Sequence, residues 1–200
     1  MNYSAIKNHD IANGPGVRVS IFVSGCNIRC DGCFNRMAWD FKAGKQFTED
    51  TIKEIIEMLK PDYIDGLTIL GGEPFDVRNR SEVTYLMNRV RMFYGDTKSI
   101  WVFSGYVFED CCFRYSRRSG KAAFLFLSYI DVLVDGPFIK ERKNLSLKFR
   151  GSENQRIIDV NKSMEQGKVV LWADEADVMK ERSLMHLDKI IEEEKNAAGH

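Results

Sequence analysis

Short apolar runs with strand character alternate with segments of helical periodicity between residues 17 and 134 of this chain. The strand candidates are Val17–Ser24, Gly66–Leu70, Ser99–Phe103 and Ile130–Val134. Such alternation predicts a parallel sheet with right-handed crossovers, whose ligands lie at the carboxyl ends of the strands. The strand–helix units are too few to close an eight-stranded barrel. We therefore expect an α/β fold built as an open, partial (β/α) barrel with a mouth that can admit a large ligand.

Helices are predicted from capping residues and from apolar positions that share one helical face. Thr48 can cap a first helix that ends before Pro61, and Ser81 can begin a second. The residues expected on their buried faces are Ile52, Ile55, Ile56 and Leu59 in the first helix and Leu86, Val90 and Phe93 in the second. A third helical segment is expected to include Tyr106–Phe113.

The charge balance gives no reason to expect a polyanionic partner. Lysines plus arginines number 29 and aspartates plus glutamates number 29, so no overall field favours nucleic acid or an anionic membrane. Residues 1–30 carry no signal-peptide pattern, and no apolar stretch approaches the length of a membrane span. We expect a cytoplasmic protein with one domain over residues 1–174. The strong charge of residues 175–200, with apolar residues at helical spacing, predicts an amphipathic C-terminal helix there.

Three of the five cysteines lie within eight residues, on the loop after the first strand candidate. This clustering, and the odd cysteine count, suit a metal in a reducing compartment better than a disulfide scaffold. The spacing Cys26-x-x-x-Cys30-x-x-Cys33 supplies three thiolates for a four-iron cluster and leaves the fourth iron open to a substrate. A zinc site and three unrelated buried thiols are the alternatives. We interpret the adjacent Cys111 and Cys112 as helix-packing residues rather than as a redox pair or a second cluster.

A glycine-rich turn, Gly71-Gly72-Glu73-Pro74, follows the second strand candidate. Its glycines would let backbone groups approach a ligand closely, and its carboxylate can accept hydrogen bonds from an ammonium group. Alone, the tetrapeptide predicts only a turn. Because the carboxyl ends of parallel strands meet at one sheet edge, we expect it on the same side as the cysteine loop.

Together the cysteine loop and this turn resemble the radical S-adenosylmethionine superfamily. Further motifs resemble the glycyl-radical activating enzymes and, taken in order, the activators of anaerobic ribonucleotide reductase. They are Asn13-Gly14-Pro15-Gly16-Val17-Arg18, Cys33-Phe34-Asn35-Arg36 with Trp39, Trp101-Val102-Phe103-Ser104-Gly105-Tyr106, Asp131-Val132-Leu133-Val134-Asp135-Gly136 and Arg150-Gly151-Ser152-Glu153-Asn154-Gln155-Arg156. The resemblance covers about residues 13–156. One departure is that the usually aromatic position before the third cysteine is Gly32, and the aromatic residue, Phe34, follows that cysteine.

The resemblance implies a partial barrel of the radical S-adenosylmethionine type, with two cofactors. Cys26, Cys30 and Cys33 would bind a [4Fe-4S] cluster and serve the catalysis, and the open iron would chelate S-adenosylmethionine. Reductive cleavage would give a 5′-deoxyadenosyl radical that removes hydrogen from a glycine of anaerobic ribonucleotide reductase. The residues implied to contact the methionine moiety are Gly71, Gly72 and Glu73, and those on the nucleoside side are Gly32, Cys33 and Phe34.

Four further polar residues receive candidate roles: Ser104 and Asp135 by resemblance, and Arg150 and Arg156 from the chemistry of the guanidinium group. Ser104 and Asp135 end two strands and would contact the cofactor or a bound monovalent cation, with strand-end capping as the alternative. Arg150 and Arg156 flank a polar turn that suits the cofactor's carboxylate or ribose, or the partner's peptide. A solvated loop is the alternative for that turn.

The implied partners are the reductase, acting on ribonucleoside triphosphates, and a flavodoxin-like reductant. The C-terminal helix would dock the reductase or a second copy of the chain in a homodimer. Other readings stay open: an activator of a different glycyl-radical enzyme, or a small-molecule radical S-adenosylmethionine enzyme. An iron–sulfur electron carrier would need every iron ligated, and a zinc-stapled interaction module would need a fourth ligand.

Overall fold

Seven strands form one sheet in the part of the chain that the structure, a computed structural model, describes: residues 1–111 and 125–173. They are β1 (Asn2–Asp10), β2 (Val17–Val23), β3 (Lys45–Gln46), β4 (Ile64–Gly71), β5 (Ser99–Phe103), β6 (Val132–Asp135) and β7 (Arg156–Asp159). Their order in the sheet is β3-β1-β2-β4-β5-β6-β7. The four strands β2, β4, β5 and β6 run parallel, and the outer strands β1, β3 and β7 pair antiparallel. The fold is therefore mixed α/β, as predicted, with a parallel centre.

Three helices have bounds within the described residues: α1 (Glu49–Leu59), α2 (Arg80–Tyr94) and α3 (Val160–Gln166). Residues 108–111 and 125–128 are also helical, and short 3-10 turns span Arg36–Trp39 and Lys140–Arg142. The predicted helix from Tyr106 to Phe113 is thus described only in part. Cys112 and the predicted C-terminal helix lie outside the described residues. Within those residues, no helix has both the length and the apolar character that a bilayer crossing requires.

Contact density divides the chain into two units, Met1–Val170 and Leu171–His200. The first contains all seven strands and the three helices. Its core consists of alternate residues of the parallel strands, such as Ile21, Ile69 and Val102, packed with buried residues of α1 and α2. Burying one face of a sheet under amphipathic helices is the expected arrangement of such a fold.

Helix α1 forms as its sequence predicts. Thr48 is its N-cap: its hydroxyl accepts from the amide of Thr51, and the Thr51 side chain accepts in turn from the Thr48 amide. All four apolar residues expected on the inner face of α1 are buried.

Helix α2 differs from the prediction at its start and on one face. It begins at Arg80 rather than Ser81, and Leu86 and Val90 are buried as expected. Phe93 was wrongly assigned to the core, because its side chain is 59% exposed. Met87 supplies a buried position instead, since it lies seven residues before the helix end on the same face as Leu86 and Val90.

The strands differ from the prediction in number and in bounds: β4 begins at Ile64 rather than Gly66, and β2 ends at Val23 rather than Ser24. β6 is Val132–Asp135, so it begins two residues later than predicted, although Ile130 before it is fully buried. β1, β3 and β7 were not predicted at all. Buried and exposed residues do not alternate regularly along β1, because the strand carries bulges and pairs with both β2 and β3 near its start. The sequence of β1 therefore lacks the period of two that identifies a strand.

The Gly-Pro-Gly element packs against a buried arginine of β2. Arg18 is fully buried, donates to the hydroxyls of Thr68 and Ser99 at 2.7 and 2.9 Å, and stacks on the Trp101 ring. Burial lowers the pKa of Arg18 to about 10. Gly14 lies against this pair so closely that a Cβ atom there would contact the Arg18 side chain at 2.8 Å. The motif therefore has a structural role at the amino-terminal part of these strands.

Candidate functional site

The three clustered cysteines line one small pocket at the carboxyl ends of the parallel strands. The pocket has a volume of about 140 Å³. The residues that line it and that sequence analysis assigned to the site are Cys26, Cys30, Cys33, Phe34, Gly71, Gly72, Glu73 and Ser104. The prediction that the cysteine loop and the glycine-rich turn share an edge is thus confirmed by their positions, whereas the role of each residue stays a prediction.

Backbone hydrogen bonds fix the start of the cysteine loop. Gly25 donates to the carbonyl of Ala38 at 2.7 Å, and Cys26 donates to that of Trp39 at 3.2 Å. Gly25 has φ of +95° and lies directly against the Phe41 ring. A side chain at Gly25 would be strained in its backbone and would collide with that ring. The loop is therefore held against the segment that follows the cysteines.

The thiols are suited to a cluster rather than to a single ion. All three cysteines are partly exposed, and burial raises the pKa of Cys26 and Cys30. In the described part of the chain, no three Cys, His, Asp or Glu side chains converge closely enough to hold one metal ion. A cluster does not require that convergence, because each thiolate binds a different iron. Three thiols on one loop are therefore a donor set that an iron–sulfur cluster can use, and ligation would deprotonate them.

Glu73 is a buried carboxyl group in the wall of this pocket. Only 1% of it is exposed. Its Oε1 accepts from the Phe75 amide at 2.9 Å and the Ser104 hydroxyl at 2.8 Å, and its Oε2 accepts from the Gly105 amide at 2.8 Å. Burial raises the pKa of Glu73 to about 7, although these three donors oppose the shift. The site therefore holds a carboxylate that a cationic ligand would stabilise.

The two glycines of the turn bring two loops into backbone contact. The Gly72 amide donates to the Val23 carbonyl at 2.7 Å, and the Glu73 amide donates to the Gly25 carbonyl at 2.8 Å. A Cβ atom on Gly71 would lie 2.7 Å from the Val23 oxygen, and one on Gly72 would overlap the Gly25 oxygen. The glycines are required here because the cysteine loop approaches them closely. The sequence alone instead suggests that they leave room for a ligand.

Ser104 and Asp135 end neighbouring strands but have different surroundings. Ser104 lines the small pocket and connects Glu73 to the Tyr106 amide, which donates to its hydroxyl at 3.0 Å. Asp135 is fully buried, accepts from the Phe108 amide at 2.8 Å and pairs with Arg156. Asp135 does not line the pocket, and its contacts are those of the capping alternative.

The two arginines of the polar turn are also separated by the structure. Arg156 forms salt bridges with Glu109 and Asp135. Both carboxylates raise the pKa of Arg156, and Glu109 has the larger effect. The same pair lowers the pKa of Glu109. Arg150 instead lines a larger cavity and donates to the Gln155 carbonyl at 3.0 Å, while its buried Nε has no hydrogen-bond partner. Of the two, Arg150 alone lines a cavity.

The larger cavity adjoins the cysteine pocket and has a volume of about 440 Å³. Cys30, Cys33 and Phe34 line both cavities, and Gly32 lines the larger one. Its wall continues to residues 143–151, where Leu145 is 89% exposed, as is Phe34. An apolar rim thus leads from solvent to the thiols.

Sequence analysis missed residues that join the two loops or line both cavities. Phe138 and Gln155 line both cavities, and Gln155 lies inside a recognised motif. Asn79 and Asp76 follow the glycine-rich turn and contact the cysteine loop. No local pattern distinguishes these side chains from ordinary turn residues, so only the tertiary fold reveals them.

Comparison with known proteins agrees with this geometry. A family model described as a 4Fe-4S single cluster domain matches residues 12–158, a span that contains every residue lining the small pocket. The chain is 42% identical over 159 residues to the anaerobic ribonucleoside-triphosphate reductase-activating protein of Enterobacteria phage T4. That alignment covers 78% of this chain and 93% of the phage protein. The chain belongs to this family of reductase-activating proteins.

Bacterial reductase-activating proteins give the same result. The proteins of that name from Vibrio cholerae and Escherichia coli are 39% and 36% identical to this chain. Each alignment covers 78% of this chain, with 97% of the Vibrio protein and 96% of the Escherichia protein. The resemblance inferred from ordered motifs between residues 13 and 156 is therefore confirmed.

Proposed function

We propose that this chain activates an anaerobic ribonucleotide reductase by installing a glycyl radical in it, using a [4Fe-4S] cluster and S-adenosylmethionine. One observation carries the proposal: three thiols and a buried carboxyl group line a single pocket at the carboxyl edge of the parallel strands. The names of the relatives, which activate ribonucleoside-triphosphate reductases, support the choice of partner.

The cysteines and the glycine-rich turn have different roles in this proposal. Cys26, Cys30 and Cys33 would hold three irons of the cluster. When bound, the cluster would supply the one electron that cleaves S-adenosylmethionine to methionine and a 5′-deoxyadenosyl radical, and that radical would take a hydrogen atom from a glycine of the partner and leave as 5′-deoxyadenosine. Glu73 accepts hydrogen bonds from the ammonium group of the methionine moiety, with Gly71 and Gly72 beside it. A cation raises the charged fraction of that carboxyl group, because opposite charge opposes the effect of burial.

The larger cavity suits the remaining parts of the reaction. Gly32 and Phe34 face the nucleoside, and Ser104 keeps Glu73 oriented through its hydrogen bond. Arg150, in the wall of this cavity, binds the cofactor's carboxylate or a peptide carbonyl through its guanidinium group. Asp135 orders the start of the segment after β5 through the Phe108 amide and pairs with Arg156. The apolar rim at Phe34 and Leu145 admits the glycine-bearing segment of the reductase and limits the access of water, which a reactive radical requires.

The parallel strands are those of an open, partial barrel of the radical S-adenosylmethionine type, within a domain of residues 1–174. The electron comes from a flavodoxin-like donor in the cytoplasm, and the partner reduces triphosphates.

The test is anaerobic reconstitution with iron and sulfide, followed by dithionite reduction with S-adenosylmethionine. We expect 5′-deoxyadenosine by chromatography and, with the reductase added, a glycyl radical signal by electron paramagnetic resonance. Cys30→Ala should abolish both, whereas Cys111→Ala removes a core cysteine away from the pocket and should retain both.

Each other outcome points to a different class of protein. Deoxyadenosine without a signal on the reductase would indicate another radical enzyme or another partner. A stable cluster without cleavage would indicate an electron carrier, and bound zinc without iron would indicate an interaction module. The last two results would overturn the proposal.

A further inference from the structure

The buried side chain of Asn79 joins the cysteine loop to the glycine-rich turn. Asn79 is 1% exposed. Its Nδ2 donates to the carbonyls of Ser24 and Glu73, both at 3.0 Å, and more weakly to that of Gly25 at 3.3 Å. Two of these carbonyls immediately precede Cys26, and the third belongs to the carboxyl-bearing residue of the pocket. One amide group thus contacts both loops at once.

The chemistry of this contact requires an amide with its nitrogen toward the loops. Three carbonyl oxygens face the Asn79 side chain, and oxygen in the place of Nδ2 would meet only acceptors. Asparagine therefore has one acceptable orientation here, and aspartate, of nearly the same shape, has none.

Asn79 makes this contact at the expense of its own helix. It occupies the N-cap position of α2, where asparagine commonly accepts a hydrogen bond from the first turn, yet its side chain makes no such bond. Its Oδ1 is buried without a hydrogen-bond partner. Leaving a buried acceptor unpaired is unfavourable, so the position is not explained by the stability of α2.

Besides the backbone hydrogen bonds, a second side-chain link between the loops is more exposed. Asn27, in the cysteine loop, donates to Asp76 at 2.8 Å, and Asp76 also pairs with Arg78. Asn27 is exposed to solvent. A hydrogen bond in that setting constrains the loops less than a fully buried one, because water competes for the Asn27 amide.

We infer that Asn79 is a positioning residue that sets the distance between the cysteines and the Glu73 carboxyl group. This inference rests on the proposed function, in which those two loops hold the cluster and the methionine moiety. Asn79 lies outside both cavities and acts through Gly25 and Glu73. A loop displacement of a fraction of an ångström would therefore alter the geometry between the open iron and the bound ammonium group.

The first test measures loop order in the cofactor-free chain by hydrogen–deuterium exchange. In Asn79→Ala, amides of residues 24–27 and 72–76 should exchange about tenfold faster, as expected from the loss of buried hydrogen bonds. The matched control is Asn88→Ala, which removes a hydrogen bond to the Tyr129 hydroxyl from the same helix, away from the pocket. Faster exchange spread equally over the sheet, or no change at these loops, would overturn the inference.

The second test measures S-adenosylmethionine affinity and the spectrum of the reconstituted chain. At a temperature where every variant is folded, Asn79→Ala should weaken binding about tenfold and change the resonance spectrum of the reduced cluster with S-adenosylmethionine, and Asn79→Asp should be worse. Asn88→Ala should match the wild type. If Asn79→Asp does not fold, Asn79→Ala decides alone.

These outcomes separate the inference from the proposed function. A wild type that takes up no cluster or binds no S-adenosylmethionine would defeat the function, and loop exchange would still judge whether Asn79 joins the two loops. A wild type that binds and cleaves S-adenosylmethionine, with Asn79→Ala equal to it in affinity and spectrum, would defeat the inference alone.

Discussion

Glu73 is a carboxyl group on whose pKa burial and hydrogen bonding act in opposite directions. Three donors favour its charged form, and removal from water favours its neutral form. Burial prevails and raises the pKa to about 7. A residue balanced in this way ionises when a cation arrives and releases a proton as it does so.

The first prediction concerns the pH dependence of stability in the cofactor-free chain. The pKa of Glu73 is about 7 in the folded state and about 4.5 as a free side chain, so between these values the folded chain binds a proton that the unfolded chain does not. This contribution to stability is complete below the lower pKa and is lost as the pH rises through the upper one. We expect the wild type to lose up to about 1.4 kcal/mol per pH unit in this window relative to Glu73→Gln. Urea unfolding at pH 5 and pH 8 measures it, and parallel profiles would contradict the assignment.

The second prediction concerns Gly72. An alanine methyl group there would overlap the Gly25 carbonyl oxygen, a backbone atom that cannot move without displacing the cysteine loop. We expect Gly72→Ala to destabilise the fold by about 1–3 kcal/mol and to lower cluster content after reconstitution. Gly95→Ala is the control: it has open space, with φ of +54° and ψ of −128°, so it costs about 1–3 kcal/mol from backbone strain alone without affecting the cluster. Equal iron content in both variants would count against the steric argument.

At the scale of elements, the predictions succeeded where the determining interactions are local. β5 was predicted with its observed bounds, and α1 with its cap, because a continuous apolar run and a capping hydroxyl lie within the segments themselves. β3 has two residues, both exposed, and exists only through pairing with β1. Such strands depend on tertiary contacts that have no period in the sequence.

The candidate site divides in the same way. The cysteine loop and the glycine-rich turn were found because their spacing is a local signature. The pairing of Arg156 with Asp135 and Glu109 joins three separate segments, so no local pattern separated it from a ligand-binding role. The contacts of Asn79 were not predicted for the same reason: its partners, such as the Ser24 and Glu73 carbonyls, lie outside any local sequence pattern.

The third prediction concerns the start of α1. Thr48→Ala removes the hydroxyl that accepts from Thr51, and we expect it to lower the free energy of unfolding by about 1 kcal/mol. The control is Thr97→Ala, whose hydroxyl donates to the Tyr94 carbonyl at an exposed site and should change stability by less than about 0.5 kcal/mol. Denaturant unfolding measures both. Cluster content should stay at the wild-type level in both variants, and a selective loss in Thr48→Ala would show that α1 does more than cover the core.

For the whole molecule, topology explains why distant segments meet at one place. Parallel strands β2, β4 and β5 all run toward the same edge, so the loops after them, which carry the cysteines, Glu73 and Ser104, converge there. The segment between β6 and β7 borders both cavities. Its residues Phe138 and Gln155 line the small pocket, and Leu145 and Arg150 supply the far wall of the larger cavity.

The fourth prediction tests whether that wall receives the protein substrate. Leu145 is 89% exposed although it lines a cavity that reaches the thiols, and an apolar side chain in that position gains most from contact with a partner. Leu145→Ser should therefore leave deoxyadenosine formation without the reductase unchanged, while the reductase concentration needed for half-maximal glycyl radical formation rises about fivefold, as expected for the loss of about 1 kcal/mol. Met92→Ser, a 72% exposed position on α2, is the matched control and should change neither quantity. If Leu145→Ser and Met92→Ser behave alike, the reductase approaches by another surface. If Leu145→Ser slows deoxyadenosine formation in the assay without the reductase, the Leu145 side chain contacts S-adenosylmethionine rather than the partner. That assay contains no partner, so a change in it cannot come from partner binding.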